Sequence, residues 1–301
     1  METKNNSKLL SELVAKATGP LPYNLTNDYL FRALLQENNK VLKGLIGSLL
    51  HLQPEEIISA EIKNPIILGE SIGDKDFVLD VHVLLNDEAL IDLEMQVLKY
   101  DNWNERSLGY LCRTFDNLNK GDDYLDTKPA IHIGFLDFTL FPEYPEFYAT
   151  YKLMNVRNHT IYSDKIVLSV VNLKQIELAT EQDKEYMIDY WAALFKATTW
   201  EDIKMIAEKN SCFQDASETL LQLTTDERIR EQCEARHAYE VRQRYTERKM
   251  ANLEEQLASK EEQLAASQEQ LAASQEQLAE SNAENARLRA ELERLKKKST
   301  E

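Results

Sequence analysis

The chain of 301 residues has 3 cysteines, Cys112, Cys212 and Cys233, an odd number, widely spaced and without a Cys-x-x-Cys pair. This argues against a disulfide framework or a cysteine-bound zinc. It points to a reducing, cytoplasmic setting, with the thiols as small buried or half-buried residues. Glycine is scarce at 8 residues, and there is neither a Gly-rich phosphate loop nor a serine nucleophile elbow. No run of 18 apolar residues occurs, so no membrane span is expected. The opening METKNNSKLLSELVAKATGP also lacks the apolar core of a signal peptide. The 5 histidines, His51, His82, His132, His159 and His237, show no ligand spacing. Positive charge is short as well: 35 Lys and Arg stand against 52 Asp and Glu, a net of -17, and the excess is not confined to the tail. A protein that grips a polyanion would then need a local basic face or a cation that neutralises its site. Lys99, Arg106 and Arg113 form one group of bases. A second runs through Arg228, Arg230, Arg236, Arg242, Arg244, Arg248 and Lys249, but acids interleave it, as on a solvated helix with ion pairs.

What the chain does carry is concentrated in residues 73 to 97, GDKDFVLDVHVLLNDEALIDLEMQV. Phe77 to Leu85 and Ala89 to Val97 are rich in Val, Leu and Ile and flank an Asn86-Asp87 turn signal, which predicts an antiparallel hairpin. Side chains alternate faces along a strand, so Glu94 and Gln96 share a face and Asp80 can lie beside them. Two carboxylates and an amide at a sheet end suit a divalent metal, for which oxygen ligands are the natural choice. The plainer alternative is a solvated row of charges, which Asp92 on the Glu94 face would join. His82, two residues past Asp80, is either an outer partner of that carboxylate or an ordinary surface or packed histidine.

The segment resembles the core motif of the PD-(D/E)XK nuclease superfamily. More narrowly, it resembles the branch of recombination-promoting nucleases and transposase-like proteins, the Rpn family. In that branch a Lys-Asp pair, a Leu-Asp-Val and a hairpin into Glu-Met-Gln follow in order. Here they are Lys75-Asp76, Leu79-Asp80-Val81 and Glu94-Met95-Gln96. Asn27-Asp28-Tyr29-Leu30-Phe31-Arg32 is similar to the family's opening helix, and Arg106 and Tyr110 to an Arg-x3-Tyr on the helix after the hairpin. Gly121 to Phe138 is similar to the next loop and strand, so the likeness spans residues 24 to 175. Asn172-Leu173-Lys174 departs from the Glu-Leu-Pro-Lys that the family often shows. Gln96 stands where the superfamily usually has Lys, a change the branch shares.

The resemblance implies an α/β fold with a restriction-endonuclease-like core, α-β-β-β-α-β around a mixed sheet; the sequence pattern, read below, adds further helices and a C-terminal coiled-coil helix. It implies a metal-dependent DNA endonuclease with Asp80, Glu94 and Gln96 as catalytic residues. Asp80 and Glu94 would bind one or two divalent ions, Mg2+ or Mn2+, which position and activate a water. Gln96 would orient that water or contact the phosphate, and without a lysine's charge it leaves more stabilisation to the metal. Asp28 is either an additional acidic ligand or a first-turn acid suited to the helix dipole. Arg106 and Tyr110 either reach the phosphate or brace the sheet. A non-catalytic protein on the same fold, binding or inhibiting a partner through its tail, is the competing reading. The transposase label has no counterpart here in a helix-turn-helix with basic flanks.

The chain divides by pattern into an arm over residues 1–22, a nuclease-like domain over 23–225 and a long helix over 226–301. The domain pattern predicts an amphipathic helix from Asp28 to Leu50 with Asn27 as N-cap, and a strand within Glu56 to Leu68 broken by Pro65. The hairpin, a helix from Trp103 to Leu118 and a strand at Ala130 to Phe138 come next. Strands at Tyr148 to Met154 and Lys165 to Val171, and helices at Lys184 to Phe195 and Trp200 to Glu208, complete it. From Thr225 onward neither Gly nor Pro occurs. LAASQEQ is repeated at 264 and 271, flanked by near-copies at 257 and 278, so Leu257, Leu264, Leu271 and Leu278 recur every seventh residue. The matching d positions are Lys260, Ser267, Ser274 and Ser281, and an apolar a/d pattern returns only around Leu288, Leu292 and Leu295, with Asn285 at a. Self-association through a coiled coil and a solvated low-complexity helix are both consistent with this pattern.

Overall fold

Asn27 sets the first core helix. Its side-chain oxygen accepts from the Leu30 amide at 3.2 Å and caps α2 (Asp28–Glu37), as the sequence predicts. The computed structural model describes residues 2–66, 68, 80–99 and 102–298, and it begins with α1 (Glu2–Lys16) ahead of this cap. The apolar pattern runs on to Leu50, but the helix does not. Asn38 leaves helical geometry at φ -130°, ψ 100°, and its side chain accepts from the Lys40 and Val41 amides to start α3 (Asn39–Leu50). Asn38 Nδ2 also donates to Thr219 Oγ1 at 2.8 Å, a partner 181 residues away that no local pattern reveals.

β1 (Ala60–Ile62) is shorter than expected and stops before Pro65, which has no amide to give a ladder. β2 (Val81–Leu85) and β3 (Ala89–Gln96) form the predicted hairpin. Asn86 and Asp87 turn it at φ 52° and 59°, the two left-handed positions of a type I′ turn. The Lys75-Asp76 pair and the stretch from Phe77 to Leu79 lie outside the described residues. α4 (Trp103–Phe115), β4 (Ala130–Leu136) and β5 (Tyr148–Lys152) follow the predicted order with slightly earlier ends, and β6 (Ile166–Asn172) lies one residue later than expected.

Among the described residues five further α-helices follow: α5 (Glu181–Glu185), α6 (Ile188–Lys196), α7 (Trp200–Ala207), α8 (Ser211–Thr225) and α9 (Glu227–Lys298). The single helix expected from Lys184 is interrupted at Met187, which adopts φ 57°. α8 has no counterpart in the sequence reading, because its Ser- and Thr-rich stretch has modest helix propensity. Burial of Phe213, Ala216, Leu220 and Leu223 along one face holds it.

The fold is mixed α/β. Among the described residues six strands form one sheet in the order β1-β2-β3-β4-β6-β5, in which β3, β4 and β6 run parallel and the other neighbours antiparallel. The α-β-β-β-α-β succession is therefore present. Strand alternation divides the sheet's two faces. Ile91, Leu93, Met95, Ile133 and Phe135 enter the main core with side chains of α2, α3 and α6. There Phe31, Phe135 and Phe195 meet at centroid separations of 5.2 to 5.4 Å. Each such fully buried side chain contributes roughly 1.5–3 kcal/mol relative to exposure. The opposite face carries α4, with Trp103 packed on Leu136, Phe138 and Val170. The chain divides into two compact units, Met1–Glu240 and Val241–Glu301. The first includes the start of α9, whose Ile229 and Cys233 are buried in the main core. Among the described residues no helix is long and apolar enough to cross a membrane.

Candidate active site

The face of the sheet under α4 is where the polar side chains collect, because strand period puts Asp92, Glu94 and Gln96 there on β3 and His132 on β4. Asp80 immediately precedes β2, and His82 on β2 pairs directly with Asp92. Asp80 is fixed through its backbone. Its carbonyl accepts from the Arg32 guanidinium on α2 and from Asn64 Nδ2 at 3.0 Å, while Asn64 Oδ1 accepts from the His82 amide at 2.9 Å. Arg32 also donates to the Asn64 carbonyl and is almost wholly buried. The Phe31-Arg32 pair of the opening helix thus serves both the core and the position of Asp80.

Acid and base then alternate across three strands. His82 Nε2 lies 2.5 Å from Asp80 Oδ2; a carboxylate can only accept, so Nε2 carries the proton. The same nitrogen stands 3.4 Å from Asp92 Oδ1 without hydrogen-bond alignment. His132 Nδ1 meets Asp92 Oδ2 at 2.8 Å, and its Nε2 is 3.8 Å from Glu94 Oε2, beyond hydrogen-bonding reach. Glu94 Oε1 accepts from the Arg106 guanidinium on α4. One turn later on that helix, the Tyr110 hydroxyl accepts from Arg106 Nε at 3.3 Å and its ring lies 5.5 Å below the guanidinium.

Burial sets the electrostatics. The Glu94 carboxyl is raised from 4.5 to about 7, chiefly by burial and further by Asp92 and Asp80, against the opposing pull of Arg106 and His132. Burial also acts to raise Asp80, but the His82 hydrogen bond and charge, backbone hydrogen bonding and Arg32 outweigh it, and the carboxyl is held below its ordinary value. His82 is raised, first by its hydrogen bond to Asp80.

Two readings of the sequence need correction. Asp92 is no solvated charge: it is 0 % exposed, because β4 and α4 close over it, and its Oδ2 is taken by His132. The histidines show no ligand spacing, yet two join the acids: His82 as the outer partner of Asp80, one of the two readings the sequence offers, and His132, which it does not single out. His82 takes up Asp80 two residues away, whereas His132 meets Asp92 across strands, and sequence spacing cannot register a partner 40 residues away. His82, at 44 % side-chain exposure, is the open edge of the group.

Gln96 shares the Glu94 face, but its amide nitrogen donates to the Leu98 carbonyl at 2.7 Å, tying off the end of β3. Asp28 is drawn elsewhere. Its carboxylate pairs with Arg236 of α9, from Oδ1 to Nε at 2.7 Å and from Oδ2 to the guanidinium terminus at 2.5 Å. Burial still raises its carboxyl against that pairing. Gly134, opposite Glu94 on β4, leaves room for α4 to close: a Cβ there would meet the Trp103 ring at 2.5 Å.

The donor set fits a divalent cation. Ligand atoms of Asp80, His82 and Asp92 lie within 4.8 Å of one another. Asp92 Oδ1 and Glu94 Oε2 are buried without a hydrogen-bond partner. Buried carboxylate oxygens left unpartnered are costly unless something positive completes them.

A family model described as PD-(D/E)XK nuclease family transposase matches residues 25–251. No curated protein and no solved structure matches the chain.

Proposed function

The chain belongs to the PD-(D/E)XK nuclease family of transposases, and from that premise we propose that it is a divalent-metal-dependent endonuclease that hydrolyses phosphodiester bonds in DNA. The observation that carries the reading is the buried, unpartnered Oε2 of Glu94 on the face that Asp80 adjoins. Asp80 and Glu94 would hold Mg2+ or Mn2+, with Asp92 close by. Such an ion lowers the pKa of a bound water and offsets charge on the scissile phosphate.

The chain's own residues prepare the site. Arg32 and Asn64 lock the backbone of Asp80, so its carboxylate is placed before any ligand arrives. Arg106 takes Oε1 of Glu94 and leaves Oε2 as the oxygen for an ion. It also supplies, beside Glu94, the positive charge that Gln96 cannot. Gln96 secures the strand end at Leu98, which suits a positioning role better than contact with a water. With a net charge of -17, attraction to DNA would rest on this local group and its ion rather than on the field of the whole chain.

Cleavage of supercoiled plasmid tests the reading. With Mg2+ or Mn2+ the wild type is expected to nick or linearise the substrate, and Asp80→Ala and Glu94→Ala to lose at least about a hundredfold in rate. Equal inertness of all three folded proteins would overturn it. In that case the tail would carry the function: Leu257, Leu264, Leu271 and Leu278 form an exposed heptad stripe suited to a second copy of the chain.

A further inference from the structure

His82 and Asp92 are not part of the motif that defines the nuclease pair, yet they complete a donor set of their own. His82 Nε2 lies 2.5 Å from Asp80 Oδ2 and 3.4 Å from Asp92 Oδ1. Ligands held about 2.1 Å from one ion lie about 3 to 4 Å apart, so three atoms within 4.8 Å are close to the spacing that coordination needs. Asp92 is prepared for the task. Its Oδ2 is fixed by the buried His132, which orients the carboxylate from behind, and its Oδ1 is left unpartnered toward His82. A buried carboxylate oriented by one histidine and turned toward another has no evident structural purpose on this face. The apolar packing there is already made by Trp103, Leu136 and Val170. His82, 44 % exposed, leaves a route from solvent, and displacement of the proton it shares with Asp80 frees both atoms for an ion.

We propose that Asp80, His82 and Asp92 form a mixed oxygen and nitrogen cation site that favours Mn2+ and related first-row transition ions over Mg2+. The site adjoins the Asp80–Glu94 pair and shares Asp80 with it, and in that sense it rests on the same acidic face. An imidazole nitrogen is what separates the two: magnesium keeps to oxygen ligands, whereas transition ions gain from nitrogen.

The test uses the full-length chain, Mn2+ and Mg2+ titrations by calorimetry, and pulsed electron paramagnetic resonance of bound Mn2+. The wild type is expected to show nitrogen hyperfine coupling from a directly bound imidazole. His82→Gln should lose that coupling and at least tenfold in Mn2+ affinity, while its Mg2+ affinity stays within threefold. His82 is half-exposed, so this variant keeps the fold, and circular dichroism verifies it. Asp92→Asn should weaken Mn2+ at least tenfold as well. Glu94→Gln should retain the coupling, which separates this site from the nuclease pair. A catalytically inert wild type that still shows the coupling would sink the nuclease reading and leave the site standing. Failure of the wild type to bind Mn2+, absence of the coupling, or its survival in His82→Gln (which would assign the nitrogen to His132) would overturn the proposal.

Discussion

Glu94 sits where its own charge is unwelcome, and the consequence can be measured without any substrate. Its carboxyl titrates at about 7 in the folded protein against an ordinary 4.5, with burial as the main cause. Between those values the folded state holds a proton that the unfolded chain has released, so stability falls as pH rises through this window and levels off above 7. The shift corresponds to about 3 kcal/mol at full effect. Thermal melts of the metal-free protein and of Glu94→Gln are therefore expected to differ little at pH 4.5 and to separate steadily toward pH 8, with the variant the more stable. Parallel curves would show that Glu94 is charged throughout. Metal affinity should move the other way, rising with pH up to about 7, since an ion must displace that proton. At this scale strand period puts Glu94 and Gln96 on one face with Asp80 beside them, and the resemblance to the nuclease motif singles them out. Neither picks out Asp92 and His132 as partners, because the contact between them exists only once β3 and β4 are parallel neighbours.

At the scale of elements, position is transmitted from helix to strand. α2 places Arg32 against the backbone of Asp80, and the end of α2 is set by Asn38, which caps α3 and reaches Thr219 on α8. Asn38→Ala removes the cap and the bridge together and is expected to cost about 1–2 kcal/mol, read as a shift in the denaturation midpoint. Asn38→Asp keeps the cap acceptor and should recover most of that loss. Equal destabilisation by both would place the effect in the Thr219 contact instead. The sequence showed an unbroken amphipathic run from Asp28 to Leu50, because the apolar face continues through the break. The break lies in the backbone of Asn38, whose side chain both caps α3 and reaches a distant helix. The hairpin was legible for the opposite reason: two left-handed residues, Asn86 and Asp87, specify a local turn between β-branched runs.

At the scale of the whole molecule, the second compact unit, Val241–Glu301, presents its leucines to solvent. Leu257, Leu264, Leu271 and Leu278 are all exposed along an α-helix whose intervening d positions are Lys and Ser. A solitary helix gains little from such a stripe, since helices outside a packed core are marginal in water. Association with a second copy would bury it. Sedimentation equilibrium is expected to give a dimer at micromolar concentration and a monomer for Leu264→Ser combined with Leu271→Ser. Thermal unfolding of the first unit should be the same in both. A wild type that stays monomeric at the highest soluble concentration would identify the repeat as a solvated helix. The long helix was evident from the absence of Gly and Pro, whereas the inclusion of its start in the first unit was not. Arg236 and Cys233 look like ordinary residues of a solvated helix until Asp28 and Asn27 are found against them.

By itself, the sequence determined whatever is written in local period and local chemistry. That covers the hairpin, the shared face of Glu94 and Gln96, the Asn27 cap, the succession of elements around the sheet and the heptad tail. Tertiary structure decided which charges are buried and which partners they take. It turned Asp92 from a surface acid into a buried ligand candidate, brought His132 and His82 against it from the neighbouring strands and gave Asp28 to Arg236. The physical reason is the same in each case. Alternation along a strand fixes the direction of a side chain, but burial and pairing depend on what the neighbouring strand and the covering helix bring to that face.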